Sequence, residues 1–165
     1  MKFYMLCGLP GVGKSTWIHG LESELRNEHY PLNDTDIVVI STDDIIEGLG
    51  VGYGMTYNEL FDPVTYSFAE KMMYKIAKHY IDKKTKFVIW DQTNLTVKSR
   101  KRKIDMIPAE YHMICVYFEV PADHQARLDN RAEKHIPPHV IESMKKSLEI
   151  PTESEGFSEV IKILT

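Results

Sequence analysis

Cysteine is scarce in this chain: there are two in 165 residues, Cys7 and Cys115, each inside an apolar run and without metal-ligand spacing. That excludes a disulfide framework and a zinc cluster, and both thiols read as small buried hydrophobes of a reduced, cytoplasmic protein. No apolar run approaches the roughly 20 residues needed to cross a bilayer. The N-terminal run is too short for a signal peptide. Repeats, low-complexity tracts and linkers are also missing, so residues 1–165 read as one domain. Nor is positive charge in excess: 20 Lys and Arg against 24 Asp and Glu leave a net charge of −4. A chain-wide attraction to nucleic acid or anionic membrane is thereby excluded, and any such contact must be local.

What the chain does contain is a complete G-x-x-x-x-G-K-[ST] element, Gly8-Leu9-Pro10-Gly11-Val12-Gly13-Lys14-Ser15, followed by Thr16. The apolar run Phe3 to Cys7 leads in as a short buried strand, and a helix-compatible segment leads out to about Asn27. Glycines suit a loop whose successive N–H groups converge on phosphates, where a Cβ would block the approach. Lys14 is placed to reach the β/γ-phosphates and the Ser15 hydroxyl to hold Mg²⁺. The helix N-terminus behind them favours anions. The expectation is nucleotide binding by Gly8, Pro10, Gly11, Val12, Gly13, Lys14, Ser15 and Thr16.

Strand and helix patterns then alternate. Ile37 to Ile40 is a β-branched run ending in Ser41-Thr42-Asp43-Asp44, and Lys86 to Trp90 is a second run ending at Asp91. Glycines 48, 50, 52 and 54 predict an irregular stretch over 45–56. Thr56-x-x-Glu59 has capping-box spacing, and Asp62-Pro63 opens a helix whose apolar stripe reads Val64, Phe68, Met72, Ile76 and Tyr80. Further helices are predicted from Val97 to about Met106, after Pro121 and from about His139 to Leu148, with strands at Tyr111–Val120 and Val160–Leu164. Such alternation implies an α/β sandwich around a mainly parallel sheet. Ligands then bind beyond the carboxyl ends of the strands, where the loop at 8–16, Asp43-Asp44 and Asp91-Gln92-Thr93-Asn94 should converge.

Phosphoryl transfer needs positioning, charge neutralisation and a group to take the acceptor's proton. Asp43 and Asp44 are both candidates for that base, one of them being free to cap the following segment instead. Asp91 occupies the position from which a carboxylate serves Mg²⁺. Arg127 and Arg131, spaced i, i+4, share a helix face and could close over phosphates. No asparagine-lysine-x-aspartate element for guanine occurs, which favours ATP.

In this order, the loop with Lys14-Ser15-Thr16-Trp17, then Asp43-Asp44, Asp91-x-Thr93-Asn94-Leu95, Arg127-x-x-x-Arg131 and Glu155-Gly156-Phe157-x-x-Val160 resemble the 5′-kinase domain of phage polynucleotide kinases. They also resemble the wider group of small AAA-type, zeta-toxin-like P-loop kinases. The resemblance implies a P-loop NTPase fold, a three-layer sandwich with a five-stranded sheet of order 2-3-1-4-5. A small helical lid would span about residues 123–138. It implies ATP and Mg²⁺, Asp43 as base, and Arg131, with Arg127 second, near the donor phosphates. It places Asp44, Asp91, Thr93 and Asn94 on the acceptor side. The location it implies is cytoplasmic, the host's if the chain is phage-encoded. In one departure, the arginine that grips the acceptor phosphate three residues after the base is here Ile46.

Lys98 to Lys103 puts five cations in six residues. Such a run is either a solvated helix face or a local contact to a phosphate backbone. The favoured acceptor at this level is the 5′-hydroxyl of a polynucleotide. Its alternatives are a nucleoside, sugar or antibiotic hydroxyl, or no acceptor at all in an ATPase or regulatory module.

Overall fold

A computed structural model describes residues 1–27, 32–130, 134 and 136–164. In chain order it contains β1 (Lys2–Cys7), α1 (Lys14–Asn27), β2 (Ile37–Ser41), α2 (Thr42–Val51), α3 (Tyr57–Leu60), α4 (Pro63–Asp82) and β3 (Phe87–Asp91). There follow α5 (Val97–Ile104), β4 (His112–Phe118), α6 (His124–Asp129), α7 (Pro138–Ser147) and, after a 3-10 turn at Glu153–Glu155, β5 (Glu159–Ile163). The five strands form one parallel sheet of order β2-β3-β1-β4-β5. This is the expected P-loop architecture.

β1 lies at the centre, and successive side chains alternate between the two faces of the sheet. Phe3, Met5 and Cys7 meet Met73, Ala77 and Ile81 of α4 on one side. Tyr4 and Leu6 meet Ile18 and Leu25 of α1 on the other. Both faces being covered explains why the strands read as continuous apolar runs. Both cysteines are buried and free, as expected of small core residues.

Two expectations need correction. The glycine-rich stretch is not irregular throughout, since α2 runs through Gly48 and Gly50 to Val51. Its cap is Ser41, whose Oγ accepts from the Asp44 N–H, so neither aspartate caps it. Gly50 is there for proximity: a Cβ would lie 2.5 Å from the Met55 carbonyl oxygen and 2.7 Å from Leu60 Cδ1. The second correction is the buried stripe of α4. It is Ala69, Met73, Ala77 and Ile81, one residue on from the large apolar side chains, leaving Val64 and Phe68 exposed. Small alanines let the helix sit close to the sheet, which periodicity of bulky residues alone does not register. The capping box at Thr56–Glu59 and the Asp62 cap ahead of Pro63 are present as read.

Candidate active site

The carboxyl ends of β1, β2 and β3 bring the three polar clusters to one crevice. Ser41, ending β2, pairs in register with Asp91, ending β3, and the Gly8 N–H donates to the Thr93 carbonyl at 2.9 Å, tying β1 to the same edge. Within the loop, Gly11 and Gly13 have φ of 81° and 94°, a left-handed backbone that glycine adopts without steric cost. α1 starts at Lys14, so its first N–H groups lie at the loop. The Lys14 ammonium folds back to donate to the carbonyls of Gly8 (3.1 Å) and Leu9 (2.8 Å).

Asp91 is a partly buried carboxyl whose pKa is pushed up mainly by burial. Lys14 opposes the shift, while Asp43 and Asp44 reinforce it. Asp44 is raised by burial and then by Glu47. An acid-rich crevice beside the Lys14 ammonium suits a divalent cation accompanying phosphates, and Asp91 with the exposed Ser15 hydroxyl could supply oxygen donors of the kind such an ion takes. Among the described residues no cluster of three or more His, Cys, Asp or Glu forms a stand-alone metal site.

Asp43, in the first turn of α2, is held from both sides. Its Oδ1 accepts from the Tyr57 hydroxyl at 3.0 Å and its Oδ2 from the Lys134 ammonium at 3.1 Å. Lys134 also reaches Glu47 at 2.5 Å and lies 4.6 Å from the Tyr57 ring centroid. Burial, with Asp43 second, pushes the Tyr57 phenol far above its ordinary value. The sequence offers no signal for Tyr57 or Lys134. Glu47 had one, the i, i+4 spacing that puts it on the same helical face as Asp43.

A cleft of about 240 Å³ is lined by residues that include Tyr66, Glu70, Gln92, Thr93, Ser99 and Lys103, and Gln92, which follows Asp91, donates from Nε2 to the Oγ1 of Thr42, the residue before Asp43, at 3.4 Å. Asn94 borders the same cleft, but its amide is engaged inward. Its Nδ2 donates to the Leu6 carbonyl at 2.6 Å, and its Oδ1 accepts from Lys103. With φ of 47° it shapes the turn after β3.

The basic run is divided: Lys98, Lys101 and Arg102 form a solvated face, whereas Arg100 and Lys103 turn into the protein. Arg100 is fully buried, forked onto Glu155 at 2.7 and 2.8 Å and donating to the carbonyls of Asn94, Leu95 and Glu149. Lys103 is buried too, its pKa lowered to about 8 by burial. Arg102 lies 4.4 Å from the Tyr74 ring centroid, and Lys101 pairs with Asp105. A helix winding in 3.6 steps had to turn part of this run inward.

On the donor side, α6 packs on the phosphate loop. His124 is buried with Nε2 2.8 Å from the Pro10 carbonyl oxygen, and a Cβ at Gly11 would meet Leu128 Cδ2 at 3.1 Å. Arg127 pairs with Asp123 at 2.8 Å. Arg131 lies outside the described residues.

Comparison with solved structures places this arrangement among P-loop kinase-like folds. A presumed kinase from Chloroflexus aurantiacus J-10-fl is similar at a TM-score of 0.69 and 18% identity, over 99% of this chain and 85% of that one. A chain of the Pnkp1/Rnl/Hen1 RNA repair complex aligns at 0.65 and 22% identity, covering 89% of this chain and 43% of its own length. An unliganded sugar kinase from Janibacter sp. HTCC2649 aligns at 0.63 and 15%, over 99% and 85%. At these identities the similarity establishes the fold alone. The family model described as AAA domain matches residues 3–151, nearly the whole length, and the chain belongs to that family.

Proposed function

We propose that this chain is an ATP-dependent kinase that moves the γ-phosphoryl group to an alcohol, with Asp43 as the base. The observation that carries the reading is the Asp43 carboxylate in the first turn of α2, at the strand ends shared by the phosphate loop and Asp91. In the step envisaged, the acceptor oxygen bonds to Pγ as the bond to the β,γ-bridging oxygen breaks. ADP leaves with that electron pair, and the hydroxyl proton passes to Asp43. Lys14 would exchange the Gly8 and Leu9 carbonyls for phosphate oxygens, with Arg127 and Arg131 as further donor-side cations once Arg127 leaves Asp123. Asp91 and Ser15 would hold Mg²⁺, which supplies charge neutralisation on the phosphates.

For the acceptor, we favour a small neutral hydroxyl compound. Asp43, Asp44, Glu47, Glu70 and Asp91 give this side an acidic character. Arg100 and Lys103 are engaged internally, and Ile46 is fully buried with no cation in its place. A phosphodiester would meet more carboxylates than free cations. The second reading, a polynucleotide 5′-hydroxyl, draws support from the aromatic row Tyr57–Phe61–Tyr66, with centroids 5.3 and 5.9 Å apart, on which a terminal base could stack. Labelled-γ-phosphate transfer to sugars, nucleosides and 5′-hydroxyl oligonucleotides, side by side, tests both. Label on the small alcohols with none on oligonucleotides supports the first reading, and the converse supports the second. No transfer to any of them, with intact ATP binding, would favour a nucleotide-binding module.

A further inference from the structure

A base poised beside a γ-phosphate faces a competitor to every acceptor, which is water. In this chain the base, although its side chain is 41% exposed, is already engaged. Both Asp43 oxygens already accept hydrogen bonds, from Tyr57 and from Lys134. Lys134 is no ordinary surface partner, since its side chain is 20% exposed and its ammonium contacts Asp43, Glu47 and the Tyr57 ring together. The nearby cleft offers hydroxyls, an amide and a carboxylate through which an acceptor can gain binding energy that water cannot.

Resting on the assignment of Asp43 as base, we infer that Lys134 is a specificity-determining positioning residue. Its ammonium occupies the acceptor side of Asp43, so water does not recruit the base, whereas a cleft-bound hydroxyl displaces the ammonium and takes its place. The reaction suppressed is hydrolysis. In it, a water oxygen bonds to Pγ, the bond from Pγ to the bridging oxygen breaks, ADP carries off the electron pair and Asp43 receives the water proton, leaving ADP and phosphate.

The test needs no identified acceptor. With ATP and Mg²⁺ alone, Lys134→Gln should raise hydrolysis roughly tenfold, a modest share of what general-base catalysis can supply. Lys134→Arg, which keeps a cation there, should stay near the wild-type rate, and Lys134→Gln combined with Asp43→Asn should lose the gain. With whichever alcohol proves to be phosphorylated, Lys134→Gln should lower the acceptor KM and leave kcat nearly unchanged. Flat or reduced hydrolysis in a folded Lys134→Gln protein overturns the inference, as does a gain that survives Asp43→Asn. The two ideas fail separately. Normal transfer by Asp43→Asn removes the base, whereas a silent Lys134→Gln in a protein that Asp43→Asn inactivates removes only the role of Lys134.

Discussion

Asp43 and Asp91 face the same crevice with different surroundings, and the difference sets what replacing each should do. Asn retains the size of Asp43 and can still accept from Tyr57, so Asp43→Asn should melt close to wild type. In single-turnover assays its phosphate transfer should fall by roughly 10²–10⁴-fold, the range of general acid–base catalysis. Asp44→Asn should be milder, since the Asp44 backbone N–H, not its carboxylate, makes the α2 cap. Equal activity of Asp43→Asn and wild type would mean that the second-strand carboxylates are structural. Asp91 bears on stability. Its folded-state pKa is raised above the ordinary 3.8, chiefly by burial, so the folded chain holds that proton more tightly than the unfolded one. Stability therefore falls as pH rises from the unfolded value through the folded one, and the penalty is complete above it. Asp91→Asn should accordingly melt higher than wild type at neutral pH without ligands. The gap should close near about pH 3, where both states are protonated. Adding ATP and Mg²⁺ should reverse the order, because the variant has lost a metal ligand. A variant that melts lower than wild type at neutral pH without ligands would contradict the burial argument.

At the scale of elements, α2 offers an internal comparison between two helical glycines. Ala is the better helix former by about 1 kcal/mol where nothing else intervenes. At Gly48 a Cβ meets nothing within 4 Å, so Gly48→Ala should raise the denaturant midpoint. At Gly50 the same Cβ would press on the Met55 carbonyl at 2.5 Å, and backbone cannot turn aside as a side chain can. Gly50→Ala should lower the midpoint despite its better propensity, and transfer should suffer because α2 carries Asp43. If both substitutions stabilise, the turn after α2 does not approach the helix as described.

For the molecule as a whole, Arg100 joins parts distant in sequence: the turn after β3, α5, the end of the α7 region at Glu149, and the 3-10 turn at Glu155. Breaking a buried ion pair by removing one partner costs about 3–5 kcal/mol, because the other charge is left uncompensated. Arg100→Met should therefore unfold at markedly lower denaturant, by circular dichroism, at any salt concentration. Arg102→Gln, at an exposed residue beside Tyr74, should change the midpoint little. Similar midpoints for Arg100→Met and wild type would show that the fork to Glu155 contributes nothing net.

The local patterns were sufficient for the phosphate loop, the alternation of strand and helix, the capping box at Thr56 and the Asp62-Pro63 helix start. Each depends on neighbours within a few residues, where backbone propensity and hydrogen bonding act. They also brought Asp43, Asp91 and Thr93 to one edge, because parallel strands deliver their carboxyl ends to the same side. Only the tertiary structure decided which face of α4 is buried, that α2 continues through its glycines, and that Arg100 and Lys103 turn inward. These outcomes depend on how closely another element approaches, as Ala69 and Gly50 do. The most consequential contact, Lys134 on Asp43, joins residues 91 positions apart. No local pattern encodes that pairing, because it exists only once the fold has set α2 and Lys134 side by side.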